Sequence, residues 1–338
     1  MPDRPTVVLL GGFGRSGSTL LERVISRASG ATALGEVIHC WERGLLGGEL
    51  CGCGLAFPEC PFWTAVGETA LGGWDAVDAE EMLALRRELC TNRNIPLLLM
   101  PWLSPAFRRR LDRYVDVLDR LYAAAAEVSG SPLLVDSSKH PSHAFLLRHG
   151  RVRLRVVLVV RDSRGVAYSW SKRVLRPEVA DREDYMPTYS PLGAANRWSA
   201  YNLLFQLLAL ALTRVRVVRY EDFVLRPAAT IDRVLRFAGT TPEPDARAQL
   251  VGGSVDLRTD HTVAGNPMRF RTGPVSLRLD QEWRAAMPAR SRRLVSLVTW
   301  PLRLRFGYVD GLHRGLAPDR DGSTGSAGSA GSAGSAPE

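Results

Sequence analysis

At 338 residues, with 45% hydrophobic and 23% charged side chains, the chain can bury a sizeable core and is too apolar to be disordered. Its 44 Lys and Arg against 35 Asp and Glu give a formal charge of +9, mostly arginine, which fits nucleic acid, an acidic membrane surface or a polyanionic small molecule. No lysine-rich run concentrates that charge, so it points only weakly to nucleic acid. The N-terminal apolar run is too short for a signal peptide and no stretch is long enough to span a bilayer. Leu203–Leu212 reads as a buried helix, and a cytoplasmic protein without a membrane span is expected.

Thr6–Leu10 is a β-branched apolar run, as a central parallel strand requires. It leads into Gly12-Phe-Gly-Arg-Ser-Gly-Ser-Thr19, which has the glycine spacing and closing threonine of a phosphate-cradling P-loop. Ser18 stands where that loop carries lysine, and a cation remains at Arg15. Leu21, Val24, Ile25 and Ala28 follow at helical spacing, which places Ser18 and Thr19 at a helix N-terminus, where free N–H groups and the helix dipole favour an anion. The expected ligand carries phosphate but is not an ordinary triphosphate.

Cys40, Cys51, Cys53 and Cys60 cluster within one short stretch. Reduced thiols without a catalytic role, a local disulfide to Cys60 and a zinc knot all fit. The Cys-x-Cys spacing lacks the usual ligand gap of two to four residues, so no metal is expected. Leu111, Tyr114, Val115, Leu118, Leu121 and Tyr122 mark one helix, and Ala195–Leu212 marks another.

Three further strands end in polar residues. Leu133–Val135 runs into Asp136-Ser-Ser-Lys-His140, Leu154–Val160 into Arg161-Asp-Ser-Arg-Gly165, and Val215–Val218 into Arg219-Tyr-Glu-Asp222. Strands alternating with helices imply right-handed crossovers and an α/β three-layer sandwich with a central parallel sheet. In such sheets ligands bind beyond the carboxyl ends of the strands, so these clusters converge on one crevice. Arg161, and Ser169 about one turn into the next helix, could grip a second phosphate. Arg161 could instead pair with Asp162 or another acid.

Together the P-loop motif and Arg161-Asp-x-Arg-Gly-x-x-x-Ser169 resemble the sulfotransferases that use 3′-phosphoadenosine 5′-phosphosulfate (PAPS) and release 3′-phosphoadenosine 5′-phosphate (PAP). The resemblance implies that Arg15, Ser16, Gly17, Ser18 and Thr19 cradle the 5′-phosphosulfate and that Arg161 and Ser169 bind the 3′-phosphate. It further implies that Tyr220 meets the adenine and that Arg271-Thr272-Gly273, helped by Arg269, closes over the 3′-phosphate. Thr272 departs from the lysine usual in that late loop, and Arg15 suits the bacterial and carbohydrate-modifying branches better than the aryl and steroid ones.

Sulfuryl transfer needs charge stabilisation, expected from Arg15, the loop N–H groups and Ser138 or Lys139, and a base for the acceptor hydroxyl. Glu36 resembles the glutamate base of several bacterial and carbohydrate sulfotransferases; His140 and His39 are the other candidates. Glu36 could instead merely pair with Arg43 or Arg23, and His261 could cap the loop of Arg269 to Gly273. A single domain over 1–317 is expected, with 37–130 as a mainly helical acceptor-side insertion whose Trp41, Trp63, Trp74 and Trp102 could line a pocket for a small-molecule, carbohydrate or lipid hydroxyl. Residues 318–338, rich in Gly, Ser and Ala, read as a disordered tail. Two rivals remain: a P-loop kinase or NTPase with Leu133–Asp136 as a magnesium-holding strand, and a non-catalytic binder of nucleotide or nucleic acid.

Overall fold

A computed structural model describes residues 4–177, 183–211 and 214–309; the expected C-terminal tail lies outside them. Five parallel strands form the central sheet: β1 (Thr6–Gly11), β2 (Thr32–Gly35), β3 (Leu133–Lys139), β4 (Arg153–Val160) and β5 (Val215–Arg219). Their order is β2-β3-β1-β4-β5, so β1 sits at the centre and switches the direction of winding. Side-chain alternation along β1 feeds two cores. Val7 and Leu9 pack on the face holding the long helix Pro105–Ser129, while Val8 and Leu10 pack on the first helix, Ser18–Ser29, and on Pro227–Ala238. Helices therefore cover both faces, as the α/β expectation required.

The long helix starts where Ser104 Oγ accepts the Phe107 N–H and stops at Gly130, whose φ of 66° suits an αL cap. The sequence placed only its central apolar stripe. Two other expectations need correcting. In β3 the strand runs on through Asp136, Ser137 and Ser138, which are buried rather than loop residues at its end. The helix Pro191–Leu210 is not buried along its apolar run: Leu203, Leu207 and Leu210 are exposed. Among the described residues no helix is long and apolar enough to cross a membrane. Short strands β6 (Ser254–Leu257) and β7 (Gly273–Ser276) form an antiparallel pair that sequence pattern alone did not mark.

The carboxyl end of the sheet is tied together by Glu22 of the first helix. Its carboxyl accepts the Gly35 N–H at the end of β2 (2.7 Å) and the Ser137 hydroxyl in β3 (2.7 Å). Burial pushes this carboxyl up to about 8, against those two hydrogen bonds and the charge of Lys139. The folded protein thus keeps a proton that the unfolded chain releases near 4.5. Stability accordingly falls as pH rises from about 4.5 to about 8, by at most ~1.4 kcal/mol per pH unit. Glu22→Gln should flatten that slope, seen as melting temperature against pH; parallel curves for the two proteins would contradict it.

Candidate active site

The P-loop folds as its glycines demand. Gly12 (φ 127°) passes so close to β4 that a Cβ would lie 2.4 Å from the Val159 carbonyl oxygen. Gly17 (φ 85°) rests on the Tyr220 ring, where a Cβ would come within 2.6 Å. Gly17 also caps the first helix without a side-chain hydrogen bond, leaving the N–H groups of its first turn directed beyond the strand ends. Among the described residues the non-glycine positions with positive φ are Arg15, Lys139 and Ala264. The first two line one cavity and the third precedes Gly265 on its wall. Left-handed backbone costs about 1–3 kcal/mol at such residues, so its concentration here marks the place where the fold retains strain.

That cavity has a volume of about 710 Å³ and lies beyond the carboxyl ends of β1, β3 and β4. Arg15, Gly17, Ser18 and Thr19 line one side; Arg161, Ser169 and Tyr220 line another; Glu36, Lys139 and His140 close a third. Ser169 lies in the last turns of helix Ser163–Ser171, further along than the sequence suggested. The Arg15 guanidinium stands 5.1 Å over the Trp170 ring, with Nε and Nη2 buried and without hydrogen-bond partners. Burial also lowers its pKa from the ordinary value. Unpartnered buried guanidinium nitrogens are costly, and an anion in the cavity would satisfy them. Arg161 lies 4.6 Å over the Tyr220 ring and is held by the Asp280 carboxylate (2.9 Å), not by Asp162, which pairs with Arg164.

Opposite these cations, the Glu36 carboxylate accepts a hydrogen bond from Lys139 Nζ and lies 3.6 Å from His39 Nε2. Arg23 pairs instead with Asp260, whereas Arg43 pairs with Glu49 and its charge also lowers the Glu36 carboxyl, less than Lys139 and His39 do. Burial pushes the Glu36 carboxyl up, but Lys139 and His39 outweigh it and bring it down to about 2. Burial draws His39 down to about 3 and His140 to about 4, with Glu36 opposing in both cases. At neutral pH Glu36 is therefore a carboxylate and both imidazoles are neutral. His140 Nδ1 lies 3.3 Å from the Tyr201 hydroxyl.

Several sequence-selected residues lie elsewhere. Ser16 turns its hydroxyl onto the Phe13 carbonyl (2.7 Å), so only its backbone is placed to serve a ligand. Arg269 is buried outside the cavity, donating to the carbonyls of Thr262 (2.6 Å) and Leu50 (2.5 Å), so it braces the loop instead of facing the cavity. Arg271 reaches the rim; Thr272 and Gly273 do not line the cavity, and Gly273 begins β7. Trp41 and Trp63 are core residues, Trp74 packs against them and Trp102 is exposed, so none lines the cavity. The aromatic wall is instead Phe13, Trp170, Tyr189 and Tyr201, in contact at ring-centroid distances of 4.7 to 6.2 Å. Sequence reading marked none of the four as wall residues, although Phe13 stands inside the P-loop motif. His261 does not cap the late loop; its Nδ1 lies 3.2 Å from Cys60 Sγ. Asp136, required by a magnesium-holding strand, is fully buried and engaged by Tyr122, Ser138 and His143.

Residues 5–255 match the sulfotransferase domain family. The chain belongs to the sulfotransferase family. Among solved structures, the sulfotransferase domain of the Synechococcus PCC 7002 olefin synthase aligns at 16% identity and a TM-score of 0.51, over 91% of this chain and 98% of that one. At that identity the likeness bears on the fold alone. The sulfotransferase domain from the curacin biosynthetic pathway aligns at 16% identity and a TM-score of 0.47, over 88% and 98% of the two chains. Sulfotransferase STF9 from Mycobacterium avium aligns at 11% and 0.46, over 90% and 78%. None of the curated proteins compared matches. Family and fold make this sulfotransferase a transferase enzyme.

The loop geometry carries a prediction for the sulfotransferase. Gly17→Ala places a methyl against the Tyr220 ring at a φ that disfavours it, so it should cost about 1–3 kcal/mol of stability, read from urea unfolding. An unchanged midpoint would show that the loop does not depend on this close approach.

Proposed function

We propose that the enzyme moves a sulfuryl group from PAPS to the hydroxyl of a small-molecule, carbohydrate or lipid acceptor. The observation that carries this reading is the pair of separate cationic grips, Arg15 and Arg161, on one cavity whose floor is a helix N-terminus. A donor with one phosphate near its reacting end and another on its ribose needs such a pair. The orphaned Arg15 nitrogens and the uncapped first turn fit the 5′-phosphosulfate, and Arg161 with Ser169 fits the 3′-phosphate. Tyr220 lines the cavity where this reading puts the adenine, and Arg271 offers a further cation at the rim. When bound, the donor supplies an activated sulfuryl group.

The remaining work falls to the chain's own side chains. Glu36 is the general base in this reading: as a carboxylate it accepts the proton of the acceptor hydroxyl, which needs contact within hydrogen-bond reach. A carboxyl held near 2 is a weak base. Lys139 is the control, because any movement of its ammonium toward negative charge at the P-loop releases Glu36 and raises its basicity. Lys139 and Arg15 stabilise charge on the transferring group's oxygens. His39 and His140, neutral at pH 7, orient the carboxylate and the acceptor, and the aromatic wall of Phe13, Trp170, Tyr189 and Tyr201 excludes water and receives the acceptor's apolar part.

Calorimetric titration with PAP tests the donor half. Arg161→Ala should weaken binding about 10- to 100-fold by removing a charge-assisted contact. Asp280→Asn, which frees the same guanidinium, should tighten it severalfold. No PAP binding by the unaltered protein, or no response to Arg161→Ala, overturns the donor assignment. For the base, Glu36→Gln should lower kcat by about 100-fold or more while PAP affinity stays within about threefold. In Lys139→Ala the acidic limb of the pH–rate profile should move upward, because the carboxyl loses the charge that holds it at about 2. A Glu36→Gln enzyme with unaltered kcat would exclude Glu36 as base.

A further inference from the structure

Four soft donors that the sequence scatters between residues 51 and 261 meet at one point. The sulfurs of Cys51, Cys53 and Cys60 and a ring nitrogen of His261 all lie within 4.8 Å of one another. Cys53 Sγ is 3.7 Å from Cys60 Sγ, and Cys60 Sγ is 3.2 Å from His261 Nδ1. A tetrahedral zinc ion with Zn–S of about 2.3 Å and Zn–N of about 2.0 Å has S···S edges of ~3.8 Å and S···N edges of ~3.5 Å. A disulfide would need sulfurs at about 2.05 Å, and all five cysteines are free thiols. The sulfur spacing is therefore that of an ion's coordination shell rather than of a bond.

The surrounding backbone is shaped to present these donors. Gly54 (φ 90°) donates its N–H to the Cys51 carbonyl (2.8 Å) and Leu55 accepts the Cys51 N–H (2.7 Å), so the Cys51-Gly-Cys53-Gly turn folds both sulfurs to one side. Gly52 donates to the Thr262 carbonyl (2.9 Å), and a Cβ there would lie 2.5 Å from Thr262 Oγ1 and 2.6 Å from the Asp260 carbonyl oxygen. Only a glycine lets this turn lie against the segment that carries His261. The His261 ring stacks on Phe62 (centroids 5.3 Å, 20° between planes), and its carbonyl accepts the Trp63 indole N–H (2.7 Å). Cys51 and Cys60 are fully buried.

We infer that Cys51, Cys53, Cys60 and His261 form a structural zinc site. Four protein donors leave no open position, which separates it from a catalytic metal, and none of the four lines the donor cavity. On binding, the three thiols give up their protons to solvent and the zinc keeps its +2 state. The ion staples the start of the insertion to a segment 201 residues away. Two residues beyond His261, Val263 donates to the Leu34 carbonyl (2.8 Å) and accepts the Glu36 N–H (2.7 Å). The site therefore anchors the backbone that sets the position of Glu36, without touching the reacting groups.

Elemental analysis of the untagged full-length protein, expressed with zinc in the medium, tests this. One zinc ion per chain is expected, and replacement by cobalt should give the visible d–d and thiolate charge-transfer bands of a tetrahedral site. Cys60→Ser should lose the metal and the bands. His261→Cys, which keeps four donors, should retain both, and Cys90→Ser, outside the cluster, should change neither. Should Cys60→Ser fail to fold, the metal content of the unaltered protein and of His261→Cys decides the matter. Protein that contains no metal, that holds a different metal stoichiometrically, or whose mass is two hydrogens light from a disulfide overturns the assignment.

Discussion

The approach of the Gly17 backbone to the Tyr220 ring is the constraint on which the Arg15 and Arg161 side of the cavity rests. It fixes the P-loop at the end of β1 to the segment after β5, across the intervening β4. The same ring carries the Arg161 guanidinium, which in turn donates to the Arg15 carbonyl (3.3 Å). Loop, ring and guanidinium are thus one packed stack drawn from three strand ends. A side chain at position 17 would not only strain one φ angle; it would push apart the loop that carries Arg15 and the ring that carries Arg161.

Facing this stack is an electrostatic arrangement of the opposite kind. Buried carboxyls at Glu22 and Glu36 lie close to the same lysine, yet their environments push them apart, one up to about 8 and the other down to about 2. Glu22 meets hydrogen-bond donors but little positive charge, so burial wins; Glu36 meets Lys139 directly, so charge wins. One carboxyl becomes a neutral strut between helix and sheet, and the other stays an anion in the cavity. The division follows from contact: Lys139 donates a hydrogen bond to Glu36, whereas at Glu22 its charge is outweighed by burial.

Much of this was legible in the sequence where local pattern and chemistry coincide. The apolar run of β1, the Gly12/Gly17 spacing and Arg161 at the end of β4 are each marked within a few residues, and the structure brings them to one cavity. What could not be read depends on contacts between distant segments. Asp136–Ser138 looked like a loop because polar residues rarely fill a central strand, and their burial depends on partners from other segments: Tyr122 and His143 for Asp136, Glu22 for Ser137 and the Ile38 N–H for Ser138. Arg269 looked like a ligand-facing cation because its carbonyl acceptors lie on other segments. The tryptophans of the insertion were candidates for a pocket, but two have their indole N–H groups satisfied inside the core by Tyr114 and by the His261 carbonyl. The Cys-x-Cys spacing argued against a metal, and the approach of His261 to Cys60 across 201 residues is a contact that spacing does not show.

The pairing of Val263 with Leu34 and Glu36 also bears on how copies of this protein behave toward one another. Strand β2 is the outermost on its side of the sheet, and an edge strand with open N–H and C=O groups invites pairing with a second chain. Here the last residues of that edge are already occupied by the 263 segment, and β2 itself is only four residues long. At the opposite edge, β5 carries Arg216 and Arg219, whose charges discourage an incoming strand. Neither edge of the sheet thus presents a long, uncharged strand to a second chain, and at β2 the contact that holds Glu36 in place is also the one that occupies the edge.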